Sequence, residues 1–198
     1  MNDGPSRDAV PDADRALVTA VLGRVPGAFE QLVRDYQGLC WHIIQRMVRH
    51  PEDTRELCQE AFLRVHRNLH QYRFDAPLKA WLGQVAYSVA RRHLERRRIA
   101  LVEPASDDDG LSLLERIGDG FDLEAATADA ERARCLHAAI EALPPLQRTL
   151  LTLYHLEEVP IAEIAVITGL AEGTIKSHLF RSRKRLHALL APRIGVAA

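Results

Sequence analysis

From Asp14 to about Arg98 the apolar residues recur at steps of three and four: Leu17 and Val21; Phe29, Leu32, Val33 and Tyr36; Leu39, Ile43 and Met47; Leu57, Ala61, Val65 and Leu69; Trp81, Val85 and Val89. That period is the one-sided stripe of amphipathic helices, and the alternating β-branched runs of strands are absent. Breaks at Pro26-Gly27, His50-Pro51 and Arg73 to Pro77 divide this half into about four helices. A second helical stretch runs from about Ala128, through Cys135, Leu136, Ile140 and Leu143, and is interrupted by Pro144-Pro145. Between them, Leu101 to Leu123 carries Pro104, three consecutive aspartates and three glycines, the composition of a linker, with room for a short helix around Leu111 to Ile117. The expected fold is all-α: two small helical domains, residues 15–99 and 128–193, joined by an acidic linker over 100–127 and preceded by a disordered tail over 1–14.

Within the second domain, Ile161, Ile164 and Ala165 form a short apolar stripe ending at Gly169, a residue that tolerates the left-handed backbone of a tight turn. After Leu170 to Gly173, Thr174 is the expected N-cap of a helix starting at Ile175. At 100° per residue Ile175, Leu179 and Leu186 share one narrow face, and Ser177, Phe180, Arg181 and Lys184 share the opposite one, with Lys176 and Arg183 beside them. This is a helix-turn-helix whose second helix is shaped for the DNA major groove, arginine reading guanine edges and the remaining cations gripping phosphates. Phe180 is the odd member, either packed on a neighbouring helix or meeting thymine methyls.

Charge sharpens the picture because it is segregated, although the formal net charge is only −1 over 198 residues. Arg64 to Arg98 holds nine Lys or Arg against two acids. Ile99 to Glu131 holds ten acids against Arg116 alone, and Thr174 to Arg193 holds six basic residues and no acid. Two basic blocks around an acidic spacer predict two polyanion-binding surfaces, with the spacer drawn to them by screened Coulomb attraction in the free protein. No apolar run nears the length of a membrane span and the N-terminus does not read as a signal peptide, so a cytoplasmic protein is expected. Cys40, Cys58 and Cys135 are odd in number and sit in helical patterns, which reads as reduced core thiols. The nine histidines include no metal-ligand spacing, and there is neither a phosphate-binding glycine loop nor a nucleophile motif. No enzyme, metal or cofactor is expected. His42, His66 and His93 read as surface or core-edge residues.

The stretches Leu143-Pro144-Pro145-Leu146-Gln147-Arg148, Ile161 to Ala165, Gly173 to Ser177 and Phe180 to Leu186 resemble the fourth conserved region of the extracytoplasmic-function, or group IV, sigma factors of bacterial RNA polymerase. Asp53 to Arg64 and the pair Trp81-Leu82 resemble their second region. The resemblance covers about Asp14 to Leu190. It implies a sigma2-like four-helix domain and a sigma4-like helix-turn-helix domain, with core RNA polymerase and promoter DNA as partners, an anti-sigma factor as a further one, and no membrane insertion. It implies that Asp53, Glu56, Gln59, Glu60 and Leu63 dock on the polymerase core. Glu56, Gln59 and Glu60 share one helical face, while Leu57, Ala61 and Val65 share another. It implies that Arg73, Phe74, Asp75 and Lys79, with Gln84, Tyr87, Ser88, Arg91 and Arg92 on the following helix, take the melted minus-10 strand. A polar face with an aromatic and an arginine suits unpaired bases and phosphates. The minus-35 duplex then falls to Thr174, Lys176, Ser177, His178, Phe180, Arg181, Arg183 and Lys184. Departures from the family pattern at Ser88, His178 and Phe74 bear on base preference. The competing reading is a conventional helix-turn-helix regulator acting on duplex DNA without joining polymerase. Its N-terminal half would need a ligand or receiver domain, for which no strands are present.

Overall fold

A computed structural model of the chain describes residues 11–100 and 128–194. Among them are eight α-helices and no strand: α1 Asp12–Leu22, α2 Ala28–Val48, α3 Pro51–Asn68, α4 Leu78–Ala100, α5 Ala128–Glu141, α6 Pro145–His155, α7 Ile161–Thr168 and α8 Glu172–Ile194. One turn of 3-10 helix, Leu69–Gln71, follows α3. The chain is already helical at Asp12, inside the stretch expected as a tail, of which residues 1–10 lie outside the described residues. Residues 101–127, which hold nearly all of the expected linker, lie outside them too.

Local chemistry accounts for most helix ends. Pro51 opens α3, where its missing N–H costs nothing, and His50 Nδ1 accepts from the Asp53 amide at 3.4 Å. The Thr54 hydroxyl, fully buried, bonds Gln45 Oε1 at 2.7 Å and so ties α3 to the end of α2. Pro145 opens α6 in the same way, and α7 closes on Gly169, whose φ of +73° is open to glycine at little cost. Thr174 departs from the expectation. The helix begins at Glu172, and the amides of Thr174 and Ile175 both turn back to the carbonyl of Ala171, so Thr174 lies in the first turn rather than at the cap.

α2 is the hub. It packs against α1, α3, α4 and α6, while α7 packs against α4 and α8. Leu32, Ile43, Leu82, Leu150, Ile164, Ile167 and Ile175 are all at most 1% exposed and belong to one continuous cluster. Each such side chain withdraws enough apolar surface to contribute about 2 kcal/mol. The two halves, expected from the sequence as separate domains, therefore share their apolar interior across the α2/α6 and α4/α7 contacts. All three cysteines are free; Cys40 is buried and Cys58 half-buried, and burial pushes their thiols up to about 12 and about 11.

Polar contacts line one edge of the same seam. Glu141 pairs with Arg46 at 2.7 Å and Arg49 at 2.9 Å, and Glu157 pairs with His42 while its carbonyl accepts from Lys79 at 2.9 Å. Arg148, 3% exposed, donates Nε to the Arg46 carbonyl at 2.9 Å, and Nη1 to those of Leu143 at 2.6 Å and Glu141 at 3.0 Å. One guanidinium thus satisfies orphan carbonyls at the C-terminal ends of both α2 and α5. Burial pushes its pKa down to about 10, which leaves it charged at neutral pH.

Candidate nucleic-acid interface

The exposed side of α8 carries the predicted duplex-reading residues. Ile175 and Leu179 are buried and Leu186 is packed against the core, so the opposite arc turns outward. Lys176, Ser177, Phe180 and Arg181 line one shallow concavity of about 570 Å³. Phe180 is 65% exposed, so it does not pack on a neighbouring helix; a phenyl ring so placed costs hydration unless it meets a partner. Arg181 Nε donates to the Ser177 carbonyl at 3.3 Å, and Lys176 leans toward Glu172 at 3.5 Å. Thr174 and Lys184 are exposed, as is Arg183, whose Nε bonds back to the Leu179 carbonyl. His178 is only half-exposed. Burial and then the charge of Arg181 lower its pKa, which keeps the ring neutral at physiological pH.

On α4 the predicted strand-binding residues fall into two groups. Gln84, Tyr87, Ser88 and Arg91 come together along one groove of about 390 Å³, as their helical spacing requires. Arg64 and Asn68 of α3 complete that groove. Arg64 is legible in the sequence as one of the basic block and as the last residue of the stretch that resembles the second region, without a strand-binding role, and Asn68 carries no signal there. The far wall is Ile167, Thr168 and Gly169, the end of α7. Tyr87 and Ser88 are half-buried, while Gln84 and Arg91 stay exposed. Arg92 is exposed. Lys79 lies apart from the groove, its ammonium on the Glu157 carbonyl.

The loop ahead of α4 presents Arg73 and Asp75 to solvent and half-buries Phe74. Phe74 has a φ of +61°, a conformation that a bulky side chain adopts only when its surroundings hold it there. Its ring lies 4.7 Å from that of Tyr72, which in turn lies 5.5 Å from Trp81. Burial pushes the Tyr72 phenol up to about 12.

On α3, Leu57, Ala61 and Val65 are buried, and Glu56 and Gln59 are exposed on the other face. Leu63 is 56% exposed beside them, an apolar side chain within a polar rim. Glu60 is engaged by Arg64 one turn on, and Asp53 faces His93 at 3.7 Å and Arg97 at 3.6 Å from α4. The face expected to dock thus holds two exposed polar groups, one exposed leucine and two carboxylates already paired within the chain.

Similarity to known proteins agrees with this layout. Residues 32–99 match the Sigma-70 region 2 family, and residues 133–186 match Sigma-70, region 4. The RNA polymerase sigma-H factor of Pseudomonas aeruginosa is 30% identical over 187 residues, covering 91% of this chain and 95% of that protein. The ECF RNA polymerase sigma-E factor of Escherichia coli K12 is 30% identical over 189 residues, covering 91% and 96%. Among solved structures, CnrH in complex with the cytosolic domain of CnrY aligns with a TM-score of 0.64 at 20% identity, over 92% of this chain and 99% of that one. The sigma factor RpoE of Bartonella quintana, solved with the anti-sigma factor NepR, aligns at 0.58 and 22% identity, over 83% and 97%. At such identities the structures speak for the fold. The sequence relatives, matched over nearly their full length, say more, and with both regions present in order this chain belongs to the extracytoplasmic-function RNA polymerase sigma factors.

Proposed function

We propose that this chain joins core RNA polymerase in the cytoplasm, directs it to a set of promoters through minus-35 and minus-10 recognition, and promotes their melting. It is an initiation factor rather than a catalyst. The observation that carries the reading is the pairing of two different nucleic-acid surfaces with one docking helix. The α8 face, with Lys176, Ser177, Phe180, Arg181 and Lys184 outward, has the shape and charge to enter a major groove. The α4 groove, with Tyr87 beside Arg64 and Arg91, suits unpaired bases that stack and phosphates that need a cation. A dimeric duplex-binding regulator has use for the first surface and none for the second. Glu56, Gln59 and Leu63 on the open side of α3 are the contacts we assign to the polymerase core, with Asp53 and Glu60 recruited from their internal pairs. An anti-sigma factor that covers these surfaces is the expected regulator.

Run-off transcription from a random promoter library, with core polymerase and with or without this protein, tests the reading. Protein-dependent start sites sharing two elements at fixed spacing are expected. Duplex binding by the protein with no new start sites would instead establish the conventional regulator.

A further inference from the structure

How the loop of residues 73–77 is held bears on minus-10 recognition, a role that rests on the function proposed for the chain as a whole. α4 starts at Leu78 directly after Pro77, whose ring offers no side-chain oxygen to the helix's first amides. The Leu78 amide donates instead to Oδ2 of Asp14, 2.8 Å away and 64 residues earlier on α1. Asp14 is 8% exposed, and its Oδ1 accepts from the Tyr36 hydroxyl at 3.2 Å. A carboxylate from one helix therefore caps another and faces the positive end of its dipole. Burial and this carboxylate together push the Tyr36 phenol above its ordinary value, so it stays a donor.

The neighbouring residue grips the other part of the loop. The guanidinium carbon of Arg15 stands 4.8 Å from the centroid of the Phe74 ring, within cation-π range. Phe74 is the residue with the left-handed backbone, and such a conformation costs a bulky side chain about 1 kcal/mol or more. Its ring is held by Tyr72 and Arg15, while the Tyr72 hydroxyl donates to the Ala76 carbonyl across the same turn. Two consecutive residues of α1 thus hold Phe74 within the five-residue loop and the first amide of the helix behind it, where the residue ahead of the helix, Pro77, has no side-chain acceptor.

We propose that Asp14 and Arg15 are positioning residues for minus-10 recognition, Asp14 fixing the loop's exit onto α4 and Arg15 holding the Phe74 ring, so that the loop meets the unstacked base already shaped. Neither residue needs to touch DNA to act in this way. With the loop left free by their loss, the chain still docks through α3 and still binds duplex through α8, but holds the extruded base poorly, since capture depends on prior geometry.

The test uses holoenzyme assembled on a promoter recovered from the run-off selection, with 2-aminopurine placed in turn at each non-template minus-10 position. Its fluorescence rises where a base leaves the stack. Asp14→Ala is expected to lower the captured-base signal about tenfold, the scale of one lost hydrogen bond to a charged group. Asp14→Asn, whose amide oxygen can still accept from Leu78, recovers most of it. Arg15→Ala is expected to cost about threefold, the scale of an exposed cation-π contact. Core affinity and binding to a minus-35 duplex stay at wild-type values in all three, which a general loss of folding would not allow. Arg15 is exposed, so its variant decides the matter if Asp14→Ala does not fold. Unchanged signals in Asp14→Ala and Arg15→Ala, with a reduced signal in Phe74→Ala, overturn the proposal and leave the loop's role standing. If Phe74→Ala and Asp75→Ala are also without effect, the loop itself is misassigned and the proposal falls with it.

Discussion

The two faces proposed to bind nucleic acid are built from similar parts, one aromatic ring among basic and small polar groups on a helix, yet one is exposed and the other bounded by a neighbouring helix. On α8 the proposed reading arc is open, with Phe180 65% exposed and no helix over it among the described residues. On α4 the corresponding arc faces the end of α7 across a groove, and Tyr87 and Ser88 are half-buried there. Residue type therefore decides what a face can bind, while contacts from far along the chain decide whether it is reachable. Among the described residues the proposed duplex-reading face of α8 is exposed, whereas the proposed strand-binding groove of α4 is bounded by the end of α7.

The largest expected effect concerns what holds the covered side together. Arg148→Met keeps much of the volume but leaves three carbonyls, those of Arg46, Glu141 and Leu143, without their donor. Unfilled buried acceptors cost about 1–3 kcal/mol each, discounted here because two lie at the seam's edge where water can reach. A loss of about 3 kcal/mol is expected in denaturant unfolding, lowering the thermal midpoint by roughly 10 °C for a chain of this size. An unchanged midpoint would show that the seam is held by its apolar contacts alone. On the open side, Arg181→Ala is expected to weaken minus-35 duplex binding by about 2 kcal/mol, while Tyr87→Ala leaves that binding unaltered and reduces strand opening in permanganate footprints. Equal losses from both variants on duplex would erase the distinction between the two faces.

Much of this is legible in the sequence wherever the information is local. The spacing of Leu57, Ala61 and Val65 puts them on one stripe and they are buried together, and the same holds for Ile175 and Leu179. Helical periodicity also brings Gln84, Tyr87, Ser88 and Arg91 to one groove. Contacts across the chain are not legible. Nothing in an acidic, proline-bearing N-terminus marks Asp14 as the cap of a helix beginning at Leu78, and it falls within the stretch expected as tail. Nothing in Arg148 says that its guanidinium reaches a carbonyl 102 residues away. The expectation for Thr174 fails because Ser and Thr favour caps on average, whereas here the helix gains three residues by starting at Glu172. Phe74 stands out in the sequence as a departure from the family pattern, but nothing there announces its positive φ or the Tyr72 and Arg15 contacts that surround its ring.

A smaller effect is expected from wedging the two halves apart. A Cβ added at Gly83 would meet Ile167 side-chain carbons at 3.0 Å, so α7 approaches α4 closely because no side chain stands there. Gly83→Leu should cost about 1–2 kcal/mol through overpacking of the α4/α7 contact. The free variant should then show a larger radius of gyration by small-angle scattering and tighter binding of a short single-stranded oligonucleotide than wild type. If both stay at wild-type values, α7 does not govern access to the groove.

The smallest effect is a pH dependence, and it separates the open face from the covered one. His178 lies on α8 with its Nδ1 buried and unpartnered among the described residues, and its pKa is lowered by burial and by Arg181. The unfolded chain therefore takes up the proton first as pH falls. Stability from this group is present above the unfolded histidine value of about 6.5 and is lost as pH drops through the lower folded value. DNA reverses the sign locally, since phosphates approaching Arg181 and His178 favour the charged ring and proton uptake accompanies binding. Wild type should thus lose stability, yet gain minus-35 affinity, on going from about pH 7.5 to about pH 5.5, a range that spans the ordinary histidine titration. His178→Gln should flatten both slopes, while single-strand binding at the α4 groove keeps the same pH profile in both proteins. A minus-35 affinity slope that survives in His178→Gln would place the titrating group elsewhere and remove His178 from the duplex-reading face.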